Sequence, residues 1–488
     1  MSGDLGSKLS AFHSNPQYAR LGAKPILDPI NSTTGNFYYT KDNIVIPGRY
    51  PLVFKRFYNS VGGMDGVLGI NWTHNYNIRL YNNEENIHIV FDDGHAETYK
   101  RLDNGMYAAP ADRHNVLIAD ENGGFCLHFQ TLEQYQFSQN GTLSYIIDPN
   151  GHETALEYDG DLLTSVQTDC GKLSFSYNED KLLSKVSDHT GRNVTYEYEQ
   201  NQLTKATHPS GAAFEYKYVG NGLISEQIDP LGIATVQNEY DSQGRTVVQR
   251  MANGGISYLE YDDARMSTRV TEQNGNKIEY FRDSTYRTVR AAYADFDERY
   301  IYDTENKRTG HMDRNKNTWW YEFDVHGNTT KKTDPLGNSV IAEYNVFNKP
   351  VKLSLQNGGH MGFTYDENGN LTSSIDPIGR VTSVKNDVQG RMYWLMLPDS
   401  AQYTLEFDQR GNVIALTDSM GVKTLYEYNL AGMVTRITDF NDAVVEYKYD
   451  NIGNLVEIID PSGVSTTATF DVMQNTTSVT DHNGSTGW

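Results

Sequence analysis

The sequence predicts an all-β fold made of one hairpin repeated along the chain, and three observations carry that prediction. Turn glycines recur in a fixed frame, aromatic residues alternate in the strand before one turn, and no window after residue 135 has the apolar spacing of a helix. The clearest copy reads Tyr365-Asp366-Glu367-Asn368-Gly369-Asn370-Leu371, then Ile375-Asp376-Pro377-Ile378-Gly379. The glycine of the second turn, or its replacement, falls at Gly337, Gly358, Gly379, Ser400, Gly421, Asp442, Gly463 and Gly484, in steps of 21 residues. Upstream the frame continues through Gly151, Gly171, Gly191, Gly211, Gly232, Gly254 and Gly275 in steps of about 20 to 22. An array of roughly sixteen units from about Tyr135 is expected, and its function belongs to the array more than to one pocket.

Each element of the unit has a local cause. The two turns lie ten residues apart, as in Gly141 to Gly151, Gly244 to Gly254, Gly327 to Gly337 and Gly369 to Gly379. The first resembles Asp-x-x-Gly and the second Asp-Pro-x-Gly: Asp supplies a side-chain acceptor, Pro fixes φ and Gly takes the positive φ that closes the turn. Between them lie β-formers such as Val413-Ile414-Ala415-Leu416 and Leu455-Val456-Glu457-Ile458-Ile459. The strand before the first turn carries Tyr196-Glu197-Tyr198, Tyr216-Lys217-Tyr218, Tyr426-Glu427-Tyr428 or Tyr447-Lys448-Tyr449, which places both rings on one face. Stacking of units predicts a ladder in which each ring covers its neighbour and keeps its hydroxyl at a wet rim.

Composition bounds the function. The apolar set and glycine together make up about 47% of residues, as in ordinary globular chains. Mean hydropathy is nevertheless low at -0.61, because much of the apolar area sits on 34 Tyr. That predicts a thin sheet wetted on both faces. Lys plus Arg total 41 against 63 Asp plus Glu, a net charge of -22, which disfavours nucleic-acid binding. No apolar run approaches the length of a membrane span, and Met1 to Arg20 lacks the basic start and apolar core of a signal peptide. Cys126 and Cys170 lie in separate units without a CxxC, and read as two idle thiols.

Residues 1–27 read as a flexible polar lead and 28–134 as an N-terminal β module, with the repeat array from 135 to 488. The module opens with Asp28-Pro29-Ile30-Asn31-Ser32-Thr33-Thr34-Gly35-Asn36-Phe37, followed by strand-like Leu52-Val53-Phe54-Lys55-Arg56-Phe57-Tyr58 and Gly69-Ile70-Asn71-Trp72-Thr73-His74. This opening, with the repeated YDxxGxL…DPxG frame, resembles the Rhs/YD-repeat family, which includes bacterial polymorphic-toxin shells, toxin-complex cocoons and the YD shell of teneurins. The resemblance implies a spiralling β-strip capped at its start and enclosing a hollow, with a C-terminal toxin domain inside. It implies as partners that toxin domain or the remaining part of the shell, an immunity protein and a secretion machinery, and it implies export to the cell surface or beyond without a classical signal. The match covers the N-terminal part of such proteins: the chain stops inside a unit, with too few residues after Gly484 for another strand and an open edge at Val456 to Ile459 and Thr466 to Phe470. Sixteen hairpins make a strip of about 32 strands and about 150 Å, which as one closed loop would be about 50 Å across with a wall about 20 Å tall.

Chemistry finds little to hold on to. No HExxH, GxSxG, P-loop or paired CxxC occurs. His74, His88, His95, His114, His128 and His152 concentrate in the first third, and Asp92-Asp93-Gly94-His95-Ala96-Glu97 has the residue types of a metal site, but the ligand spacing is irregular and Asp-Gly reads as a turn. Asp-Pro bonds at Asp148, Asp229, Asp334, Asp376 and Asp460 recur with the repeat and read as turns. Sequons at Asn71 and Asn370 are expected by chance in an Asn-rich chain. No catalytic, cofactor-binding or metal-binding residue is therefore assigned. The expected function is a non-catalytic shell that encapsulates and delivers a toxin domain in interbacterial competition. The alternatives are a surface adhesin holding carbohydrate on its Tyr rings, and an orphan fragment without activity. An enzyme would need polar residues that break the repeat, and the frame decays at Arg282 to Asn317, where Tyr293-Ala294-Asp295-Phe296-Asp297-Glu298 replaces a DPxG turn.

Overall fold

A computed structural model describes residues 25–27, 29–61, 65–83, 85–110, 113–220 and 222–487. Of the expected lead at 1–27, residues 1–24 lie outside the described residues, as do Asp28 and Trp488, and the remainder is no flexible lead: Pro25–Ile26 form a short strand paired with Ile30–Asn31. The fold is all-β, with 56% strand and no helix among the described residues. A single antiparallel sheet of 41 strands runs from Arg79–Asn82 to Thr486–Gly487, each strand paired with the next in sequence. The two end strands do not pair, so the sheet is an open strip; one bridge, Arg79 to Thr142, ties its start back onto itself.

The 21-residue period has a simple origin in the second half of the chain. A six-residue strand such as Ser339–Tyr344 alternates with a five-residue strand such as Pro350–Ser354, and each is followed by a five-residue turn. At Asp366 the backbone N–H donates to Asn370 O at 2.9 Å and Gly369 N–H donates to Asp366 O at 3.1 Å, a type I turn closed by a bulge residue of positive φ. Its carboxylate completes the turn: Oδ1 accepts the Asn368 and Asn370 N–H groups at 3.0 and 2.8 Å, and Oδ2 accepts the Asn370 side chain at 3.0 Å. The bulge position holds a positive φ even where the sequence departs from glycine, at Asn348 (56°), Ser400 (70°), Asp442 (59°) and Gln474 (65°). Turn geometry therefore outlasts the glycine frame, at a local strain of order 1 kcal/mol per residue.

The structure corrects the expected chain end and gives form to two other readings. The region from Arg282 to Asn317 keeps its hairpin: strands Thr288–Ala292 and Asp297–Tyr302 pair through a shorter turn in which Tyr293 N–H donates to Phe296 O at 2.9 Å. The chain also forms two strands beyond Phe470, Thr476–Thr480 and Thr486–Gly487, because two residues suffice to pair next to an existing strand. The edge expected at Val456 to Ile459 and Thr466 to Phe470 is thus covered. Finally, the strip winds into overlapping coils, the spiral that the resemblance implies. Links between coils join Gln130 to Asn348, His152 to Gln389, His189 to Leu430 and Ser210 to Val472, separations of 218, 237, 241 and 262 residues. At about 4.8 Å per strand these correspond to circumferences of about 100 to 120 Å, or about 32 to 38 Å across. Right-handed strand twist makes a long untwisted ring unfavourable and a narrower spiral the natural outcome.

Candidate functional site: the plugged and stacked wall

A small sheet sits inside the first coil. Strand Tyr38–Ile46 pairs with Leu52–Asn59, which pairs with Trp72–His74. Leu52–Asn59 alternates strictly, burying Leu52, Phe54, Arg56 and Tyr58, the face that meets the strip. Phe54 lies edge-on to Phe175 at 5.6 Å, Trp72 Nε1 donates to Tyr218 Oη at 2.9 Å, Tyr58 Oη donates to Gly222 O at 2.8 Å and Tyr196 Oη donates to Asn43 at 3.0 Å. Backbone bonds reinforce this: Leu183 N–H to Val67 O, Ile70 N–H to Asn201 O and Thr246 N–H to Gly35 O, at 2.7, 3.0 and 3.0 Å. The small sheet and the segments flanking it can touch strip residues from Phe175 to Thr246 only if the strip bends around them. The tyrosine-bearing face is therefore concave, and the small sheet is a plug.

At the centre of the plug lies Arg56, 0% exposed. Its guanidinium carbon is 5.1 Å from the Trp72 ring and 5.2 Å from that of Tyr216, and Nη2 donates to Tyr216 Oη at 2.7 Å. Its Nε and Nη1 have no hydrogen-bond partner among the described residues. Aromatic faces supply the negative potential that a carboxylate would ordinarily supply to a buried cation. Lys41 stands directly across from Arg56 in the plug and lies 4.6 Å above the Phe214 ring; burial, then the Arg56 charge, lowers its pKa.

The tyrosine ladder differs from expectation. The hydroxyl of the second tyrosine in each pair does not stay at a wet rim but donates to a backbone carbonyl one unit back: Tyr198 to Leu183 O, Tyr218 to Leu203 O, Tyr365 to Pro350 O, Tyr428 to Val413 O and Tyr449 to Val434 O, at 2.5 to 2.8 Å. Among the described residues Tyr177, Tyr198 and Tyr218 make no ring-to-ring contact with one another. Equivalent rings are two strands apart, about 9.6 Å, too far to stack. Cations fill part of the gap. Arg245, Arg287 and Arg391, each following a first turn, lie 4.3 to 4.7 Å from the rings of Tyr261, Tyr302 and Phe407 in the next unit, while pairing with the turn carboxylates of Asp241, Asp283 and Asp387.

The second coil stacks on the second-turn rim of the first along a seam. Asn370 Nδ2 donates to Asn150 Oδ1 at 2.8 Å, His189 Nε2 to Leu430 O at 2.9 Å, His152 Nε2 to Gln389 O at 3.2 Å and Ser210 Oγ to Val472 O at 2.8 Å; Gln130 Nε2 also donates to His326 O. A Cβ at Gly390 would stand 2.3 Å from Asn150 Oδ1, so glycine there serves the seam as well as the turn. The hairpin tip of the plug reaches the same line, where Arg49 donates to Gly390 O at 2.5 Å. A cavity of about 110 Å³ lies at this joint, lined by Arg49, Tyr50, His152, Asp169, Cys170 and Arg410 among others.

The residues weighed in the sequence are dispersed by the structure. His74 is buried among Phe54 and Phe175, and burial lowers its pKa to about 3. His88 meets Thr98 and Asn83; His95 stacks on Phe91 and pairs with Asp93 at 2.6 Å; His114 packs on Gly327; His128 is half-buried; His152 joins the seam. Burial opposes the charge on Glu97, but bonds from His95, Tyr99 and Arg113 and the Arg113 charge outweigh it and hold its pKa below the usual value. No cluster of three His, Cys, Asp or Glu among the described residues is arranged to hold a metal ion. Asp148, Asp229, Asp334, Asp376 and Asp460 all sit in turns, Asn71 is buried against Gly222 O and Asn370 is held in the seam. Cys170 is buried and Cys126 half-buried, both as free thiols. Sequence reasoning missed Arg56, His189 and His208; only Arg56 left a signal, as a cation on the apolar face of an alternating strand. No helix among the described residues is long and apolar enough to cross a membrane.

Comparison with known proteins follows the same division. Family models match as "Domain of unknown function (DUF6531)" over residues 27–99, "RHS Repeat" over 177–213 and "Teneurin YD-shell" over 343–483. The chain is similar to "Double-stranded DNA deaminase toxin A" of Burkholderia cenocepacia (strain H111), 25% identical over 292 residues, covering 56% of this chain and 20% of that protein. It is likewise similar to "Probable deoxyribonuclease RhsB" of Dickeya dadantii (strain 3937), 25% identical over 377 residues, covering 70% and 24%. It thus spans about a quarter or less of each relative's length. Among solved structures, TcdB2-TccC3 matches with a TM-score of 0.51 at 12% identity, over 94% of this chain and 30% of that one, and the same complex without its hypervariable C-terminal region matches with 0.51 at 11%, over 89% and 27%; these likenesses speak for the fold. Turn frame, strip and family models agree, and the chain belongs to the Rhs/YD-repeat family.

Proposed function

We propose that this chain is a non-catalytic wall of a shell that surrounds a toxin domain and carries it in interbacterial competition, with residues 28–134 as cap module and 135–488 as repeat wall. The observation that carries this reading is geometric: a strip that closes over itself, turns its aromatic face inward and is plugged from within. Hydrogen bonding continues across the proposed 134/135 division, since the strip begins at Arg79, so the two parts act as one body. The names of its relatives, a DNA deaminase toxin and a probable deoxyribonuclease, support a cargo that attacks nucleic acid, carried by a wall that does not. Partners would be that domain, an immunity protein and an export machinery, with release outside the producing cell. The carbohydrate reading has no observation in its favour, and the hydroxyl of the second Tyr of each pair is already given to a backbone carbonyl.

The test is limited proteolysis of this chain produced together with any polypeptide its reading frame encodes beyond residue 488. Resistance of that polypeptide inside the intact wall, and its digestion once Trp72→Ala has loosened the plug, is the expected result. Equal digestion in both proteins, or hydrolysis of nucleic acid by residues 1–488 alone, would contradict the proposal.

A further inference from the structure

Three histidines of the first coil form hydrogen bonds to the second across the seam, and their roles differ. His189 Nε2 meets Leu430 O at 2.9 Å and His152 Nε2 meets Gln389 O at 3.2 Å. A carbonyl only accepts, so each ring donates an N–H there whether neutral or cationic. Protonation of either ring therefore leaves its seam bond in place, and the Asp169 carboxylate lies 3.7 Å from His152 Nδ1.

His208 is built the other way. Its Nδ1 accepts the Ser210 backbone N–H at 3.2 Å, which requires a bare nitrogen. The Ser210 hydroxyl, 3.0 Å from the same nitrogen, donates to Val472 O at 2.8 Å, and Gln474 Nε2 of the second coil lies 3.4 Å from the ring. The charged groups facing the ring are Lys41 of the plug and Arg192 of the neighbouring turn. Behind them, Arg192 is paired with Asp188 at 2.7 Å and donates to Val45 O, while Asp42 beside Lys41 is paired with Lys55 at 3.1 Å. No carboxylate contacts the His208 ring among the described residues. Burial, then Lys41 and Arg192, lower its pKa. A proton on Nδ1 takes the acceptor from the Ser210 N–H and sets a third positive charge beside Lys41 and Arg192. The Ser210 hydroxyl can accept that proton, but it cannot relieve the charge.

We propose that the seam is an asymmetric clasp whose His208 end releases in acid while its His152 and His189 ends hold, so that the second coil peels from the first starting at Val472 to Gln474. The sign follows from the neutral ring being the fastened form: the clasp is fully present above the ordinary histidine pKa and is lost as pH falls below it. Release starting from one end suits a wall that must open without falling apart.

The test is hydrogen exchange on the full chain, with labelling times scaled for the intrinsic pH dependence of exchange. Between about pH 7.5 and about pH 5, protection of Thr476–Thr480 and the turn before it should fall about tenfold, while strand Lys423–Tyr428 and the turn after it, fastened by His189, change little. In His208→Gln, which can neither titrate nor be charged, protection of Thr476–Thr480 should no longer respond to pH, whether the variant rests closed or open. Lys41→Met removes one facing cation, so it should move the acid midpoint to higher pH. An unchanged acid response in His208→Gln, an unmoved midpoint in Lys41→Met, or no acid response in the natural protein would each overturn the proposal.

Discussion

The two coils are made of the same hairpin, yet they are stabilised differently. In the first coil Leu173, Val186, Val194, Leu203 and Tyr216 are 0 to 3% exposed, because the plug covers their face. Beyond Ala291 the only buried hydrophobic residues among those described are Ala342, Ala415 and Ala431. The equivalent Tyr426 and Tyr447 of the second coil are only half-buried. The hairpin repeat therefore specifies a strip and its turns but supplies little core of its own. The expected sheet wetted on both faces is correct for the second coil and wrong for the first, where plug residues Phe54, Arg56, Tyr58 and Trp72 supply the missing layer.

Removing the plug's anchor should break this contrast most severely. Trp72→Ala is expected to cost about 3 to 5 kcal/mol, as for large buried aromatics, and to bring the exchange of first-coil amides up to that of the second coil while leaving the second nearly unchanged. Equal loosening of both coils would show that they fold as one unit.

Acid should act in the same direction. Burial keeps His74 neutral, with its pKa lowered to about 3, so its contribution is intact above the ordinary pKa of about 6.5 and is lost as pH falls from there towards 3. Near-ultraviolet circular dichroism, which reports the packed Trp72 environment, should lose amplitude over that window, and less so in His74→Leu if the ring is replaced without a cavity. An identical acid transition in the variant would remove His74 from the explanation.

Glycine substitutions sharpen the comparison at the seam. Gly379 has open space around it and φ 85°, whereas Gly390 has φ 68° and Asn150 against it. Alanine at either position should cost about 1 kcal/mol for the left-handed backbone, and at Gly390 a further loss from displaced seam contacts, seen as faster exchange near Asn150 as well. Equal effects at the two sites would mean that the seam contributes nothing.

The smallest effect is expected from Tyr449→Phe, which removes one hydroxyl bond to Val434 O and should cost about 1 kcal/mol, confined to its own hairpin and the preceding one that supplies Val434. A loss spreading beyond these two units would show that the hydroxyl row couples hairpins more tightly than nearest-neighbour terms do.

What the sequence disclosed divides along the same line. Asp366, Gly369, Asp376 and Gly379 announce their turns because every contact involved lies within four residues, so hairpins and their phase were legible. The plug and seam were not: Arg56 to Tyr216 and Ser210 to Val472 join residues 160 and 262 apart, and such contacts leave no periodicity. The expected ladder failed for a geometric reason, since a repeat of two strands separates equivalent rings by about 9.6 Å. The decayed stretch around Tyr293 to Phe296 still forms a hairpin because pairing with ordered neighbours on both sides tolerates a poor turn.

The central claim is that the plug gives the first coil a core that the second coil lacks, and residue-resolved hydrogen exchange of the intact chain at neutral pH tests it most directly. Strands Gly171–Tyr177, Asn193–Glu199 and Ala213–Val219 should exchange at least about a hundredfold more slowly than Gln402–Phe407, Lys423–Tyr428 and Val444–Tyr449, a difference of about 3 kcal/mol in local opening. Matching protection in the two sets would contradict the account.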